Sequence, residues 1–282
     1  MKTIDTLIED IYALFGSGKE FSEVLANKYG ELMAQAVTDN VPRPDAGGYL
    51  RGSALGKACM REKWYTVNQF DKHEGFEKNV KFKFLYGNIL EEVVLYLAQE
   101  AGHTVTGQQD SLQIGPVVGH RDAVIDGMLV DVKSCVPFTF WKFQDGLKES
   151  DDSFGYCGQL QSYLWASQDD PLVTIKDKCA FLAVEKLSGE MTLDVHNRDM
   201  RDWGAIAEKQ LEIVNGEIPP RNYGLKAEGA KGNQKLGTNC SYCSFKKTCW
   251  PGLRSFAYKS GRSTKVTHLA KVVQAPSVPE VT

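Results

Sequence analysis

Hydrophobic residues recur at helical spacing through the first part of the chain. Ile4, Leu7, Ile8, Ile11 and Leu14 fall on one helical face, and a second helical stretch covers residues 21–36. The run VPRPDAGG interrupts this pattern. Beyond it, Ser53 is positioned to cap a short helix that carries Cys59, and a long helix over residues 81–101 puts Tyr86, Ile89, Leu90, Val93, Val94, Leu97 and Ala101 on one apolar stripe. Between residues 104 and 134 the period shortens to that of strands, in HTVTGQQ, SLQIGPVVGHRDAVI and MLVDVKS, separated by Gly, Pro and Asp-Gly signals. A helix over 155–167, a strand KDKCAFLAVE, a turn LSGE, a strand MTLDVH and a helix over 198–215 follow. The order predicts an α/β fold with a central mixed sheet flanked by helices. Residues 216–237 are rich in Gly, Pro and Lys and lead to closely spaced cysteines; the end of the chain lacks amphipathic period and is expected to be a mobile tail.

Composition changes this picture in three ways. With 282 residues, 42% hydrophobic and 24% charged, the chain can bury a sizeable core without disulfides. No apolar run approaches the length of a bilayer span, and the acids inside MKTIDTLIEDIYALF are unlike a secretory signal, so a cytoplasmic protein without membrane contact is expected. Seven cysteines in a reducing compartment point to metal binding rather than disulfides. A net charge of -3 gives no global basic field, so any surface for DNA must be a local groove.

The segment GHRDAVIDGMLVDVKS carries the most chemistry. Asp126-Gly127 is the dipeptide of a two-residue type I′ hairpin turn, which pairs Ile125 with Met128, Val124 with Leu129, Ala123 with Val130 and Asp122 with Asp131. Opposed residues share a face with Cβ atoms roughly 5 Å apart, so two carboxylates sit side by side, destabilising unless a cation compensates. Alternation puts Lys133 on the face of Asp131 and turns Val132 into apolar packing; the same counting sets His120 opposite Lys133, as an outer-shell group. Such a site suits Mg²⁺ or Mn²⁺, which polarise phosphate and acidify water. The alternative is a solvent-facing hairpin whose acids are neutralised by a neighbouring lysine.

An Asp on one strand, Asp-x-Lys on the next, then a helix with Gln-x-x-x-Tyr, here Gln159 and Tyr163 in YCGQLQSYLWA, resembles the RecB-like branch of the PD-(D/E)xK nucleases. The resemblance implies a restriction-endonuclease-like core in which Asp122, Asp131, the Val132 backbone carbonyl and an acid on the preceding helix hold the metal, with Lys133, Gln159 and Tyr163 also at the catalytic centre. Gly87 and the acids after it in YGNILEEVV match that helix, although Glu91 stands where many members have His. Wheel geometry favours Glu91 over Glu92, which points further toward solvent.

A second resemblance is independent of the first. Cys240, Cys243 and Cys249 form CxxCxxxxxC, and Cys59 lies upstream in SALGKACMREKWY, a pattern similar to iron-sulfur nucleases such as AddB and the CRISPR-associated RecB-like exonucleases. It implies a [4Fe-4S] cluster joining the N- and C-terminal segments, while four thiolates equally suit tetrahedral Zn²⁺. Cys135, Cys157 and Cys179 have no ligand spacing and are expected to be structural. The implied organisation is a helical segment (1–48), a nuclease core with its cysteine module (49–255) and the tail (256–282). The implied activity is exonucleolytic hydrolysis of single-stranded or end-containing DNA in recombination, repair or phage replication. Lys142, Lys148, Lys226, Lys231, Lys235, Lys246 and Lys247 are candidates for phosphate contacts, with Trp141, Tyr156 and Tyr242 for base stacking. A non-catalytic DNA-binding subunit is the alternative.

Overall fold

The computed structural model describes residues 2–39, 47–75, 78–261 and 263–281. In chain order the first helices are α1 (Leu7–Leu14), α2 (Glu23–Asp39), α3 (Met60–Asn68) and α4 (Lys78–Glu100). Strands β1 (Val105–Thr106), β2 (Ser111–Ile114), β3 (Val117–His120), β4 (Ala123–Ile125) and β5 (Met128–Cys135) follow, then α5 (Pro137–Gln144), α6 (Tyr156–Ala166), β6 (Lys178–Glu185), β7 (Met191–Asn197) and α7 (Trp203–Asn215). The chain continues through β8 (Lys226–Glu228), β9 (Asn233–Lys235), α8 (Thr238–Ser241), α9 (Lys246–Cys249), β10 (Arg254–Ser260), β11 (Ser263–Lys271) and β12 (Glu280–Val281). Two compact units result: one holds residues up to 46, 51–56 and 77–209, and the other holds 47–50, 57–76 and 210–282.

The first unit is built on a five-stranded sheet in the order β1-β4-β5-β6-β7. Only β5 and β6 run parallel, and the connection between them carries α5 and α6, as a parallel crossover requires. The sheet is therefore mixed and flanked by helices, the expected α/β class. Met128, Val130 and Val132 of β5 and Ala180, Leu182 and Val184 of β6 join Leu7 and Ile11 of α1, Tyr29 of α2 and Val94, Leu95 and Ala98 of α4 in one apolar core. The alternate residues face the other way, where Phe181 meets Phe143 of α5 edge to face at 5.1 Å. With both faces covered, β5 reads as a nearly continuous apolar run broken by Asp131 and Lys133.

Several expectations need correction. Of the apolar stripe on α4, Val94 is buried, as is Ala101 just past the helix end, Ile89, Leu90, Val93 and Leu97 are half-buried and Tyr86 is exposed; Leu95 and Ala98, outside the expected stripe, are also buried, because the sheet supports mainly the second half of the helix. Ser53 lies in a 3-10 turn (Gly52–Ala54), and Cys59 is itself the residue preceding α3 rather than a member of a helix capped by Ser53. Helix α5 had no counterpart in the periodicity; Pro137 at its first turn presets the helical backbone, and Phe140 and Phe143 anchor it. VPRPDAGG lies largely outside the described residues.

The second unit contains a five-stranded sheet in the order β12-β10-β11-β9-β8. The stretch expected to be a mobile tail supplies β11, β12 and most of β10, with Ala257 paired to Val266 and Phe256 and Leu269 buried. Strand alternation was present in RSFAYKS and STKVTHLAK, but it is not the helical period by which the tail was judged.

Candidate active site

The hairpin register follows the turn. Asp126 and Gly127 both adopt positive φ, 49° and 84°, as type I′ geometry demands, and Ile125 pairs with Met128, Val124 with Leu129 and Ala123 with Val130. The ladder stops there. Residues 121 and 122 turn instead to the loop after β1: Arg121 N–H donates to the Asp110 carbonyl (3.1 Å) and Gln109 N–H to the Asp122 carbonyl (3.2 Å). The cause is the fully buried Arg121, whose guanidinium reaches the Gly107 carbonyl (3.0 Å), Asp110 (2.6 Å) and Asp170 (2.5 Å). Nothing in the sequence pattern marked Arg121 for this role.

The detour corrects one expectation. His120 does not oppose Lys133; it is exposed on β3, paired with Ser111 in a separate two-stranded sheet, while Lys133 pairs with Ala183. Asp122 falls one step past the last hairpin pair, and its Oδ2 accepts the Val132 N–H at 2.7 Å. Val132 packs into the core, so its contribution here is its amide.

Asp131 is 2% exposed. Its Oδ2 is ion-paired with Lys133 and its Oδ1 accepts from Gln159 Nε2 of α6 at 3.3 Å. The Lys133 ammonium lies 5.0 Å from the centre of the Tyr156 ring. Tyr163 is buried with its ring against the Gly119 backbone, where any side chain would collide with it; it packs as core, although Asp131 and Asp122 lie near enough to help burial push its pKa up to about 12. Gly87 lets α4 pass close to β5: a Cβ there would stand 3.3 Å from Ser134 Oγ. One turn later Glu91 accepts from Gln109 Nε2 at 2.7 Å, a partner the sequence reading missed.

Electrostatics tie these groups together. Burial, then Asp122, Glu92 and Asp131, push Glu91 up to about 9. Burial and Asp131 push Asp122 up to about 7, against the opposing pull of Lys133 and the Val132 N–H. Burial works against the charge on Lys133, but Asp131 and Asp122 outweigh it and hold its pKa above the ordinary value. Glu92 answers mainly to its own burial and to Lys28. Among the described residues, no three His, Cys, Asp or Glu side chains are arranged to hold a metal as they stand. What the donor set does have is crowded acids: Asp131 is paired with Lys133, while the raised Glu91 and Asp122 carboxyls would need a further cation beside them to be ionised together with it.

In the second unit, Cys59 precedes α3, Cys240 lies in α8, and Cys249 ends α9. Tyr65 stacks on Phe245 at 5.4 Å, and Phe245 N–H points at Cys243 Sγ at 3.4 Å, which ties α3 to the later cysteine segment. Burial, then the Cys59 and Cys249 thiols, push Cys240 up to about 11; burial is also the leading cause for Cys59 and Cys243. Cys135, Cys157 and Cys179 are buried in the first unit. Of the lysines considered for phosphate, Lys235 is ion-paired with Glu228, Lys246 with Glu74 at 3.1 Å, and Lys142 donates to the Asp151 carbonyl at 2.8 Å. Among the described residues, no helix is long and apolar enough to cross a membrane.

No family model matches the chain, and no curated protein matches it. Among solved structures, one described as the crystal structure of SSO0001 is 14% identical with a TM-score of 0.44, covering 78% of this chain and 95% of that chain.

The raised carboxyls set a pH dependence of stability. A carboxyl with a higher pKa folded than unfolded binds its proton more tightly in the native state, so its contribution is full below the ordinary carboxylate range and is lost as pH rises through the raised value. In chelator, the melting temperature is expected to fall between about pH 5 and about pH 9, through the values of about 7 for Asp122 and about 9 for Glu91. Glu91→Gln should flatten the alkaline part of that fall. Differential scanning fluorimetry across pH checks this, and parallel profiles for both proteins would contradict it.

Proposed function

We propose that the chain is a metal-dependent deoxyribonuclease of the PD-(D/E)xK type, acting on single-stranded or end-containing DNA. The observation that carries the reading is Asp131, a buried carboxylate gripped by Lys133 and Gln159, with the Asp122 and Glu91 carboxyls close enough to shift one another. The resemblance of these residues, in this chain order, to the RecB-like branch supports the same conclusion. Asp131, Asp122 and Glu91 would hold Mg²⁺ or Mn²⁺, with the Val132 carbonyl adjoining, since a hard divalent cation among these oxygens would let the crowded carboxyls ionise together. Bound there, the ion would polarise the scissile phosphate and acidify the attacking water.

The chain's own residues perform the remaining tasks. Lys133 is held protonated, so it serves as a fixed positive donor toward a phosphate oxygen rather than as a base. Tyr156 covers one side of that ammonium and restrains where it points. Gln159 fixes the orientation of Asp131, and Gln109 does the same for Glu91.

Asp131→Ala and Lys133→Ala should each lower Mn²⁺-dependent digestion of linear DNA by roughly a thousandfold, several kcal/mol of transition-state stabilisation. Gln159→Ala should lower it about 10- to 100-fold, as an orienting partner. End-labelled and circular substrates with circular dichroism as the folding control make the measurement; undiminished digestion by Asp131→Ala would overturn the assignment, and a wild type that binds DNA without cutting it would favour the non-catalytic reading.

The same reading includes a metal centre on Cys59, Cys240, Cys243 and Cys249. Half-buried thiols that disfavour one another's ionisation need a cation before all can be thiolates, and a [4Fe-4S] cluster or Zn²⁺ would supply it. Anaerobically purified protein is expected to be brown and to contain iron, and Cys243→Ser to lose iron and melt lower. Colourless protein with stoichiometric zinc would replace the cluster by zinc.

A further inference from the structure

The loop between α4 and β1 buries a histidine between two acids. His103 is 4% exposed, and among the described residues the ionisable side chains in contact with it are Asp10 of α1 and Asp126 of the hairpin turn. Its Nδ1 lies 2.6 Å from Asp126 Oδ2. The other oxygen of Asp126 accepts the Thr104 N–H at 2.9 Å, so both oxygens act as acceptors and Nδ1 carries a hydrogen. The second ring nitrogen, Nε2, is buried 3.3 Å from Asp10 Oδ2 and makes no hydrogen bond among the described residues. A neutral imidazole has a single N–H, so with that hydrogen on Nδ1 it turns the Nε2 lone pair toward a carboxylate. Lys2 and then Thr6, each 2.7 Å from Asp10, hold its carboxyl below the usual range, which keeps an extra proton off Asp10. Glu100, near the end of α4, is engaged elsewhere, with the Ser22 N–H at 2.8 Å and with Lys19 at 3.6 Å.

We propose that the second proton of His103 is a latch between α1 and the turn joining β4 to β5. With that proton the ring donates to Asp10 and Asp126 together and fastens the polar side of α1 to the turn; without it Nε2 opposes Asp10 and that side of α1 lets go. Release is local, because Leu7, Ile11 and Leu14 keep the apolar face of α1 in the core and Tyr12 hydroxyl is tied to the Gly189 carbonyl (3.0 Å) and the Met191 N–H (2.8 Å). The other end of the latch reaches the hairpin itself. Asp126 holds the positive φ of 49° on which the register of β4 and β5 depends, and its N–H donates to the Thr104 carbonyl at 2.9 Å. One carboxylate therefore serves both the turn and the latch. The latch is closed while the ring is charged and opens as rising pH removes the second proton. It is a property of the scaffold and does not rest on the nuclease reading.

The full chain, labelled with nitrogen-15 and kept in chelator, gives both halves of the test by nuclear magnetic resonance. The shifts of the two His103 ring nitrogens report its protonation, and amide hydrogen exchange over residues 8–12, corrected for the intrinsic rate at each pH, reports the hold on α1. In a series from about pH 5 to about pH 9, both ring nitrogens are expected to be protonated at the acid end. Exchange over residues 8–12 should then quicken by about tenfold to a hundredfold as the second proton leaves, the size of one hydrogen bond to a charged group. Asp10→Asn should abolish that step and keep the helix protected at alkaline pH, because its amide donates to the neutral Nε2. His103→Gln should abolish the step as well. Glu91 and Asp122 are unchanged in both variants, so a step caused by those acids persists in them. A His103 that carries one proton throughout, an exchange step absent from the wild type, or one that survives in Asp10→Asn would overturn the proposal.

Discussion

Asp131 sits on the central parallel pair of a sheet covered on both faces, where a carboxylate has almost no access to water. An ionised group in such a position is tolerated only if it is paired and hydrogen-bonded, and the surroundings of β5 follow from that requirement. Lys133 is two residues along the same strand, and alternation brings it to the same face. Gln159 comes from α6, which the crossover between β5 and β6 must deliver to that side of the sheet. Asp122 and Glu91 then crowd a place already supplied with one positive charge. The result is a cluster of acids that disfavour one another's ionisation, held by a rigid scaffold instead of relaxing into solvent.

The scaffold depends on a second buried charge. Arg121 draws the chain away from β5 just before Asp122, so that the loop after β1, rather than a continued hairpin, flanks the acids. This detour brings Gln109 to Glu91 and releases β3 to its own pairing with β2. Without it, Asp122 would be one more rung of a hairpin. With it, the carboxylate stands at the end of the ladder, free of a cross-strand side chain yet fixed by the Val132 amide.

Much of this was legible in the sequence because it is local. The Asp126-Gly127 turn fixes the register of three residue pairs, and period-two alternation is enough to put Asp131 and Lys133 together and Val132 in the core. Helical spacing gave α1, α2, α4 and α6 for the same reason. The parts that escaped are decided by distant partners. Arg121 is a lone basic residue in a polar run until its contacts with Asp110 and Asp170 exist in three dimensions. His120 was misplaced because counting assumes an uninterrupted ladder. Tyr86 was assigned to the apolar stripe because periodicity shows which face a residue occupies, but not where along the helix the supporting sheet ends. The C-terminal strands were missed because alternating Thr, Val and His in a polar context becomes a strand only when β9 and β10 are there to pair with it.

The central claim is that the crowded carboxyls around Asp131 are a site for one divalent cation. Mn²⁺ binding followed by electron paramagnetic resonance, on wild type and on Asp122→Asn and Asp131→Asn proteins of equal helix content, tests it directly. One tightly bound Mn²⁺ per chain is expected in the wild type, lost in Asp131→Asn and weakened in Asp122→Asn. Equal binding by all three proteins, or none by the wild type, would contradict it.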